Sequence, residues 1–296
     1  MRTKQKMKLF ISFIMGSTLL FAATFNYAQQ TYAPSISKES AQILNTKKQQ
    51  VTELLQSIET GDHRPISYIN PTKYIQHNLA VTDGLAGFAA ALQALPKGTA
   101  KANVVRVFQD GDFVFTHTEY NFFGPKIGFD IFRFEDGKIV EHWDNLIGIA
   151  TKTASGRSQT DGETRITDLD KTKANKAIIT DFYHTLFLNG QIEKLSNYFH
   201  GDTYLQHNPI VPDGVSGLMK TIEKLAAQGK SFTITKLHKV LGEGNFVLTV
   251  GEGAMGTQAM TYYDLFRLEN GKIVEHWDVI EPLMPKEQWK NTNGKF

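Results

Sequence analysis

Residues 132–144 read FRFEDGKIVEHWD and residues 266–278 read FRLENGKIVEHWD, so this stretch occurs twice with eleven of thirteen positions identical. Upstream, YIQHN at residues 74–78 recurs as YLQHN at residues 204–208. The two copies of each block lie about 130 residues apart, a distance that is typical of a duplicated domain and too long for a solenoid repeat. Because the copies share His, Asp, Gln and Asn as well as apolar residues, the sequence predicts a polar site built twice.

The length of 296 residues is that of two domains, each large enough to bury its own core. We predict a flexible lead-in over residues 29–44, a first domain over residues 45–150, a linker over residues 151–172 and a second domain over residues 173–296. The linker is rich in Thr, Ser, Gly and Asp, so we expect limited proteolysis there to leave two folded halves. The alternatives are one fused unit, in which the two sheets pack as an internal pseudo-dimer, and a homodimer.

The first 28 residues have the order of a secretory signal peptide. Four basic residues precede an apolar run over residues 9–25, and Ala28 supplies a small residue for cleavage. The run is shorter than the ~20 residues that span a bilayer comfortably, so we expect export to the periplasm or the outside, without stable membrane insertion after cleavage. The remaining chain is near neutral, which gives no reason to expect a nucleic-acid partner.

Each repeat begins with helical periodicity and ends with alternating strands. Helices followed by a run of antiparallel strands predict an α+β domain, with helices on one face of a curved sheet. The predicted helices cover residues 41–58, 85–95 and 215–227, and a further helix begins after Asp170 and ends at Asn189.

The turn between the last two strands decides which residues share a face. A two-residue Asp-Gly turn would pair Asp130 with Trp143, whereas a three-residue loop with glycine in the left-handed conformation would pair Asp130 with His142. We favour the second alternative, which also places Asp264 beside His276 and leaves the tryptophans on the opposite face. One face of the first repeat then collects four side chains: Asp130, Phe132, His142 and Asp144.

An Asp beside a His is an arrangement that can transfer protons, since each group shifts the pKa of the other. The alternative is that these histidines only hydrogen-bond to the backbone. A metal cluster formed by His77, His117, His142, Asp130 and Asp144 is a further alternative. We predict no metal site, because the chain lacks cysteine and a helical HxxxH spacing.

The order YIQHN, DG and FDIFRFEDGKIVEHWD resembles the SnoaL-like polyketide cyclases of the nuclear transport factor 2-like and ketosteroid isomerase-like superfamily. The resemblance covers residues 45–147 and 173–283 and implies two tandem cone-shaped domains, each a bent antiparallel sheet wrapped around helices and an apolar pocket. It also implies an aldol ring closure without metal or organic cofactor. The catalytic strand aspartate of the family matches Asp130 and Asp264, and a strand histidine matches His117, where the second repeat has Val250.

The chain is also similar to ketosteroid isomerase at the same two aspartates, which in that enzyme correspond to a carboxyl group held protonated as a hydrogen-bond donor. The helix tyrosine of that enzyme matches Tyr183 in the second repeat but Leu54 in the first. Its catalytic base matches Asn78 and Asn208, which cannot accept a proton. Isomerisation by the steroid mechanism is therefore not expected.

These patterns predict an enzyme that transfers a proton next to the carbonyl group of a small apolar ligand, as an aldol cyclase or isomerase does. The alternative is an exported binding protein that holds such a ligand without changing it. We expect the first repeat to be the more reactive, because it has the strand histidine. We assign proton transfer to Asp130, His142, His117, Asp264 and His276. We assign substrate binding to Gln76, His77, Asn78, Phe132, Asp144, Tyr183, Gln206, His207, Asn208 and Asp278.

Overall fold

The structure is a computed structural model that describes residues 47–296. The predicted signal peptide, the predicted lead-in and residues 41–46 of the first predicted helix lie outside the described residues. Within the described residues, no helix is both long and apolar enough to cross a bilayer.

The first repeat places its helices before its sheet, as its periodicity predicts. The elements in chain order are α1 (Lys47–Thr60), a 3₁₀ turn (Arg64–Tyr68), β1 (Ile75–Gln76), α2 (Gly84–Ala94), β2 (Lys101–Asp110), β3 (Phe113–Asn121), β4 (Pro125–Glu135) and β5 (Lys138–Gly148). The sheet order is β1-β5-β4-β3-β2, with β1 parallel to β5 and the other pairs antiparallel. Val51 and Leu54 of α1 are buried against the sheet, and each such residue contributes about 1.5–3 kcal/mol.

The second repeat has the same order of elements. They are a 3₁₀ turn (Leu169–Lys171), α3 (Thr172–Phe182), a π-helical turn (Tyr183–Leu188), a 3₁₀ helix (Ile192–Tyr198), β6 (Leu205–Gln206), α4 (Val215–Ala227), β7 (Phe232–Glu243), β8 (Phe246–Met255), β9 (Gln258–Glu269), β10 (Lys272–Pro282) and a 3₁₀ turn (Lys286–Gln288). The sheet order β6-β10-β9-β8-β7 repeats that of the first sheet. The chain is therefore an α+β protein with two cone-shaped domains.

The faces of the two sheets that point away from the helices pack against each other. Phe115 and Trp143 of the first sheet share one apolar cluster with Phe246 and Trp277 of the second. Asn145 crosses this contact and is fully buried, and its amide donates to the carbonyl oxygens of Thr261 (3.2 Å) and Val279 (2.9 Å). The two domains thus share a core in addition to their own.

The linker packs against both domains despite its polar composition. It contains no helix or strand between residues 151 and 168. The guanidinium of Arg106, in the first sheet, donates to the carbonyl oxygens of Thr160 and Asp161, while Arg157 pairs with Asp213 of the second repeat at 3.0 Å. The prediction of preferential cleavage in the linker remains untested, but these contacts restrain the chain there.

The predicted three-residue turn is wrong. Asp136 and Gly137 form a two-residue turn in which both residues have positive φ, 50° and 73°. Beyond the turn, a bulge in β5 adds one residue, so Asp130 lies opposite Asp144 and Phe132 lies opposite His142. The bulge restores the alternation on which the prediction depended, and the second repeat has the same register. The four predicted side chains therefore do share a face.

Candidate active site

A cavity of about 540 Å³ lies between the helices and the sheet of the first repeat. Its walls are largely apolar and include Leu54, Phe88 and Leu146. Asp130 and His142, both buried, form a polar group within these walls. An apolar cavity with a few convergent polar groups is the usual form of a small-molecule site.

Asp130 accepts hydrogen bonds at both carboxylate oxygens. The hydroxyl of Tyr120 donates to Oδ2 at 2.6 Å, and the hydroxyl of Thr116 lies 3.4 Å from the same oxygen. Nε2 of His142 lies 3.2 Å from Oδ1. Strand β4 positions the aspartate, while β3 and β5 on either side supply its partners.

Gln76 determines where His142 carries its protons. Oε1 of Gln76 accepts the backbone N–H of Asn78 at 2.8 Å and lies 3.0 Å from Nδ1 of His142. Because this oxygen is an acceptor, Nδ1 must be the donor, so Nε2 and Asp130 share the remaining proton. The pair is either an imidazolium beside a carboxylate or an imidazole beside a carboxylic acid.

The second repeat contains the same network. Nε2 of His276 lies 2.9 Å from Oδ1 of Asp264, and its Nδ1 lies 3.0 Å from Oε1 of Gln206. The hydroxyl of Tyr183 donates to Oδ2 of Asp264 at 2.6 Å. Burial alone would lower the pKa of His276, but the hydrogen bond to Asp264 and the charges of Asp278 and Asp264 together raise it.

The tyrosine in this network comes from a different element in each repeat. Sequence reasoning missed Tyr120, because it looked for a tyrosine only at the helix position, where the first repeat has Leu54. In the second repeat, Tyr183 occupies that helix position and Gly253 replaces Tyr120 on the strand. This complementary exchange was the signal that could have revealed Tyr120. Burial and the nearby carboxylates raise the pKa of Tyr120 and of Tyr183 well above 10, so both hydroxyls stay protonated and donate.

In each repeat, an asparagine that was assigned to substrate binding donates a hydrogen bond to the second aspartate of the cavity. Asn78 donates to Oδ2 of Asp144 at 2.7 Å, and Asn208 donates to Asp278 at 2.7 Å. Lys295 lies 3.7 Å from the other oxygen of Asp144. Burial raises the pKa of Asp278 to about 6.

The assignment of His117 to the catalytic group is wrong. His117 lies on the opposite face of β3 from Thr116, within the contact between the two sheets. Its ring stacks on Phe129 with centroids 4.4 Å apart, and its Nδ1 lies 3.1 Å from the guanidinium of Arg106. Burial and the charge of Arg106 hold its pKa well below 6.5, so it is a neutral core residue.

His77 and His207 lie outside both cavities, so the structure does not support their assignment to substrate binding. His77 stacks on Trp143 with centroids 4.6 Å apart, and its Nε2 lies 2.9 Å from Glu141. His207 stacks on Trp277 in the same manner. The other predicted binding residues line a cavity: Gln76, Asn78, Phe132, Asp144, Tyr183, Gln206, Asn208 and Asp278.

Two groups of side chains are close enough to hold a metal ion. Asp130, His142 and Asp144 each offer one ligand atom within 4.8 Å of the others, as do Asp264, His276 and Asp278. These atoms lie within a hydrogen-bond network that includes tyrosine hydroxyls and asparagine amides. Most of the carboxylate oxygens in these groups accept hydrogen bonds, but Oδ1 of Asp144 has no hydrogen-bond partner among the described residues.

The two cavities differ in volume more than in polar groups. The second measures about 120 Å³, against about 540 Å³ for the first. Aromatic side chains pack together in the wall of the second cavity, where Phe187 lies 5.2 Å from Tyr183 and 5.6 Å from Phe232, centroid to centroid. The first repeat has Ile58 at the position of Phe187. The first cavity therefore has the space for a ligand.

The family model of the SnoaL-like domain matches residues 55–142 and 179–276, once in each repeat. The chain belongs to the SnoaL-like family. Among curated proteins, none is significantly similar to it in sequence.

Several solved structures resemble part of this SnoaL-like protein. TsrD from Streptomyces laurentii is 22% identical, over 33% of this chain and 85% of its own, with a TM-score of 0.29. IdmH from Streptomyces antibioticus is 21% identical, over 33% and 88%, with a TM-score of 0.30. A nuclear transport factor 2-like protein from Cytophaga hutchinsonii is 14% identical, over 34% and 90%, with a TM-score of 0.31.

Proposed function

We propose that this SnoaL-like protein is an enzyme that transfers a proton next to the carbonyl group of a small molecule, as an aldol cyclase or isomerase does, and that the first cavity is its active site. The proton shared by Asp130 and His142 beside a cavity of about 540 Å³ carries this proposal. The second repeat has the same acid–base pair but a cavity of only about 120 Å³.

The shared proton allows the pair to act first as a base and then as an acid. In the imidazolium–carboxylate form, Asp130 takes the proton from the carbon next to the carbonyl, and the electrons of that C–H bond form an enolate. As the charge on Asp130 disappears, the N–H of His142 is released to donate to the enolate oxygen. In an isomerisation, Asp130 then returns its proton to another carbon of the conjugated enolate. In an aldol closure, the enolate carbon bonds to a second carbonyl carbon of the ligand, the π electrons of that carbonyl move to its oxygen, and the resulting alkoxide takes the proton from Asp130.

Tyr120 and Gln76 keep this pair in one geometry. Tyr120 holds Oδ2 of Asp130, and Gln76 holds Nδ1 of His142. A positioned acid or base contributes about 10²–10⁴ in rate.

The test is hydrogen–deuterium exchange of the protons next to the ketone of 4-(naphthalen-2-yl)-4-oxobutanoic acid, followed by proton NMR in D₂O. Asp130→Asn should lower the exchange rate by about 10²–10⁴. The matched control is Asp264→Asn, which changes the equivalent residue of the small cavity and should leave the rate nearly unchanged. Equal losses from the two substitutions would show two equivalent sites. Ketone binding without exchange would favour the binding-protein function instead.

We further propose that the protein is exported, on the evidence of the charged, apolar and small-residue order of residues 1–28. Cell fractionation followed by N-terminal sequencing tests this. We expect a mature chain that begins near Gln29 in the periplasm or the medium. A retained Met1 in the membrane fraction would show that the segment is an anchor.

A further inference from the structure

Two lysines line the first cavity without an acidic partner. Lys126 is half-buried on β4, and Lys290 is exposed on the segment that follows β10. Within residues 47–296, neither ammonium group forms an ion pair or a side-chain hydrogen bond. Among the described lining residues of this cavity, the other charged groups are the buried carboxylates of Asp130 and Asp144, with His142 beside them.

The second repeat has apolar residues at both lysine positions. The strand alignment that matches Asp130 with Asp264 places Lys126 at Met260. The backbone N–H of Lys290 donates to Leu79, and in the second repeat that of Ala154 donates to Pro209 in the same way. Ala154 is thus the structural equivalent of Lys290. No lysine or arginine is found among the described residues that line the small cavity.

Lys126 and the acid–base pair lie at a separation that one ligand can span, and Lys290 lines the same cavity. Lys126 and Asp130 are on the same strand face four residues apart, which is at most about 13 Å along β4. Apolar side chains line the same cavity, among them Phe88, Phe122 and Leu146. The cavity therefore combines an acid–base pair, an apolar wall and a pair of unneutralised cations.

From this arrangement we propose that the substrate of the first cavity is an amphipathic organic acid, whose anionic group binds Lys126 and Lys290 while its carbonyl group reaches Asp130 and His142. This inference rests on the proposed function for the role of the carbonyl group. An anionic group would pair with both lysines, whereas a neutral ligand would leave water as their partner. Since both lysines keep access to water, solvent screens the attraction, and we expect an effect of about ten-fold on affinity.

The test compares the affinity of 4-(naphthalen-2-yl)-4-oxobutanoic acid with that of its methyl ester, measured by isothermal titration calorimetry at low and high salt. The mature protein should bind the acid about ten-fold more tightly than the ester at low salt, and the preference should shrink as salt increases. The test variant is Lys126→Met/Lys290→Ala, which introduces the residues of the second repeat. It should bind the ester as the original protein does but lose the preference for the acid.

The matched control is Lys173→Met/Lys230→Ala, which removes the same charge from two exposed lysines outside both cavities. This control should keep the preference for the acid. Equal affinity for acid and ester in the original protein would overturn the proposal, as would a preference that survives in the Lys126→Met/Lys290→Ala variant.

Deuterium exchange of the two probes separates this inference from the proposed function. If the acid is preferred through the two lysines but neither probe exchanges its protons, the anion site is supported and the proposed catalysis fails. If both probes exchange in an Asp130-dependent manner and bind equally, the catalysis is supported and the anion site is rejected.

Discussion

At the scale of single residues, the two repeats build one hydrogen-bond network with different tyrosines. Tyr120 reaches Asp130 from a strand, and Tyr183 reaches Asp264 from a helix, at 2.6 Å in both cases. The position of the hydroxyl group is therefore maintained although the residue that supplies it is not. This agreement indicates that the hydrogen bond to the aspartate matters more than the element that delivers it.

Removing the hydroxyl in the first repeat should impair proton transfer. Tyr120→Phe leaves Oδ2 of Asp130 without its principal donor, a change that typically costs about 1.5–3 kcal/mol for a charged group. We expect deuterium exchange of the ketone probe to slow by about ten-fold or more. Leu54→Tyr in the same chain supplies a tyrosine at the helix position of the second repeat and should restore part of the rate. An unchanged rate in Tyr120→Phe would show that the network does not act on Asp130.

Asp278 should make the stability of the protein depend on pH. Burial raises its pKa from 3.8 to about 6, so the folded state favours the protonated form. This contribution is fully present below pH 3.8 and is lost as the pH rises through about 6. In urea unfolding at pH 4, 5, 6 and 7, the stability of the original protein relative to Asp278→Asn should fall with rising pH. A difference that stays constant would contradict the shift.

At the scale of elements, the turn before β5 sets the register of the site. The two-residue turn and the bulge each move the register by one residue, and together they restore the faces that a three-residue turn would have produced. Both arrangements therefore place the same residues toward the site, but they give those residues different cross-strand partners. Asp130 has Asp144 as its cross-strand neighbour and meets His142 diagonally.

Gly137 should be required for this turn. Its φ of 73° is left-handed, and no atom lies within 4 Å of the position that a Cβ would occupy, so the cost of Gly137→Ala is conformational. We expect a loss of about 1 kcal/mol in the free energy of unfolding. Gly148→Ala is the matched control, because that position also has open space but lacks a left-handed backbone. Equal effects of the two substitutions, measured by urea unfolding, would argue against a left-handed requirement at the turn.

At the scale of the whole molecule, each domain covers part of the other. The linker after β5 packs on the YLQHN segment of the second repeat, where Ser158 lies 2.7 Å from His207. The segment after β10 packs in turn on the YIQHN segment of the first, where Gly294 lies 2.8 Å from His77. Together with the shared apolar cluster, this reciprocal contact joins the two repeats into one packed unit.

We therefore expect the protein to unfold in a single transition. Asn145→Ala should lower its midpoint, because the substitution leaves the buried carbonyl oxygens of Thr261 and Val279 without their donor. The expected loss is about 1–3 kcal/mol for each buried polar group left without a partner. Urea unfolding followed by far-UV circular dichroism and by tryptophan fluorescence checks this. Two separate transitions, of which Asn145→Ala moves only one, would show independent halves, as the composition of the linker suggested.

The sequence by itself determined the duplication, the α+β class, the order of helices and strands and the face that carries Asp130 and His142. These features depend on local periods, since side chains alternate along a strand whatever the strand packs against. The three-residue turn was predicted because it places the polar residues on one face. The bulge in β5 has that effect instead, and it has no distinct local signal in the sequence. The catalytic assignment of His117 failed for a related reason, because alternation places this residue on the opposite face but does not say that another sheet covers that face.

Only the tertiary structure decided which side chains complete the site. Tyr120 meets Asp130 because β3 and β4 pair in a register that places Thr116, four residues before Tyr120, opposite Asp130. The wall of the second cavity likewise depends on side chains brought together from distant elements, such as Phe187 and Phe232. Lys290 joins the first cavity from the far end of the chain because the segment after β10 returns to the first domain. Contacts between residues so far apart in sequence are set by the packed fold, which no local pattern encodes.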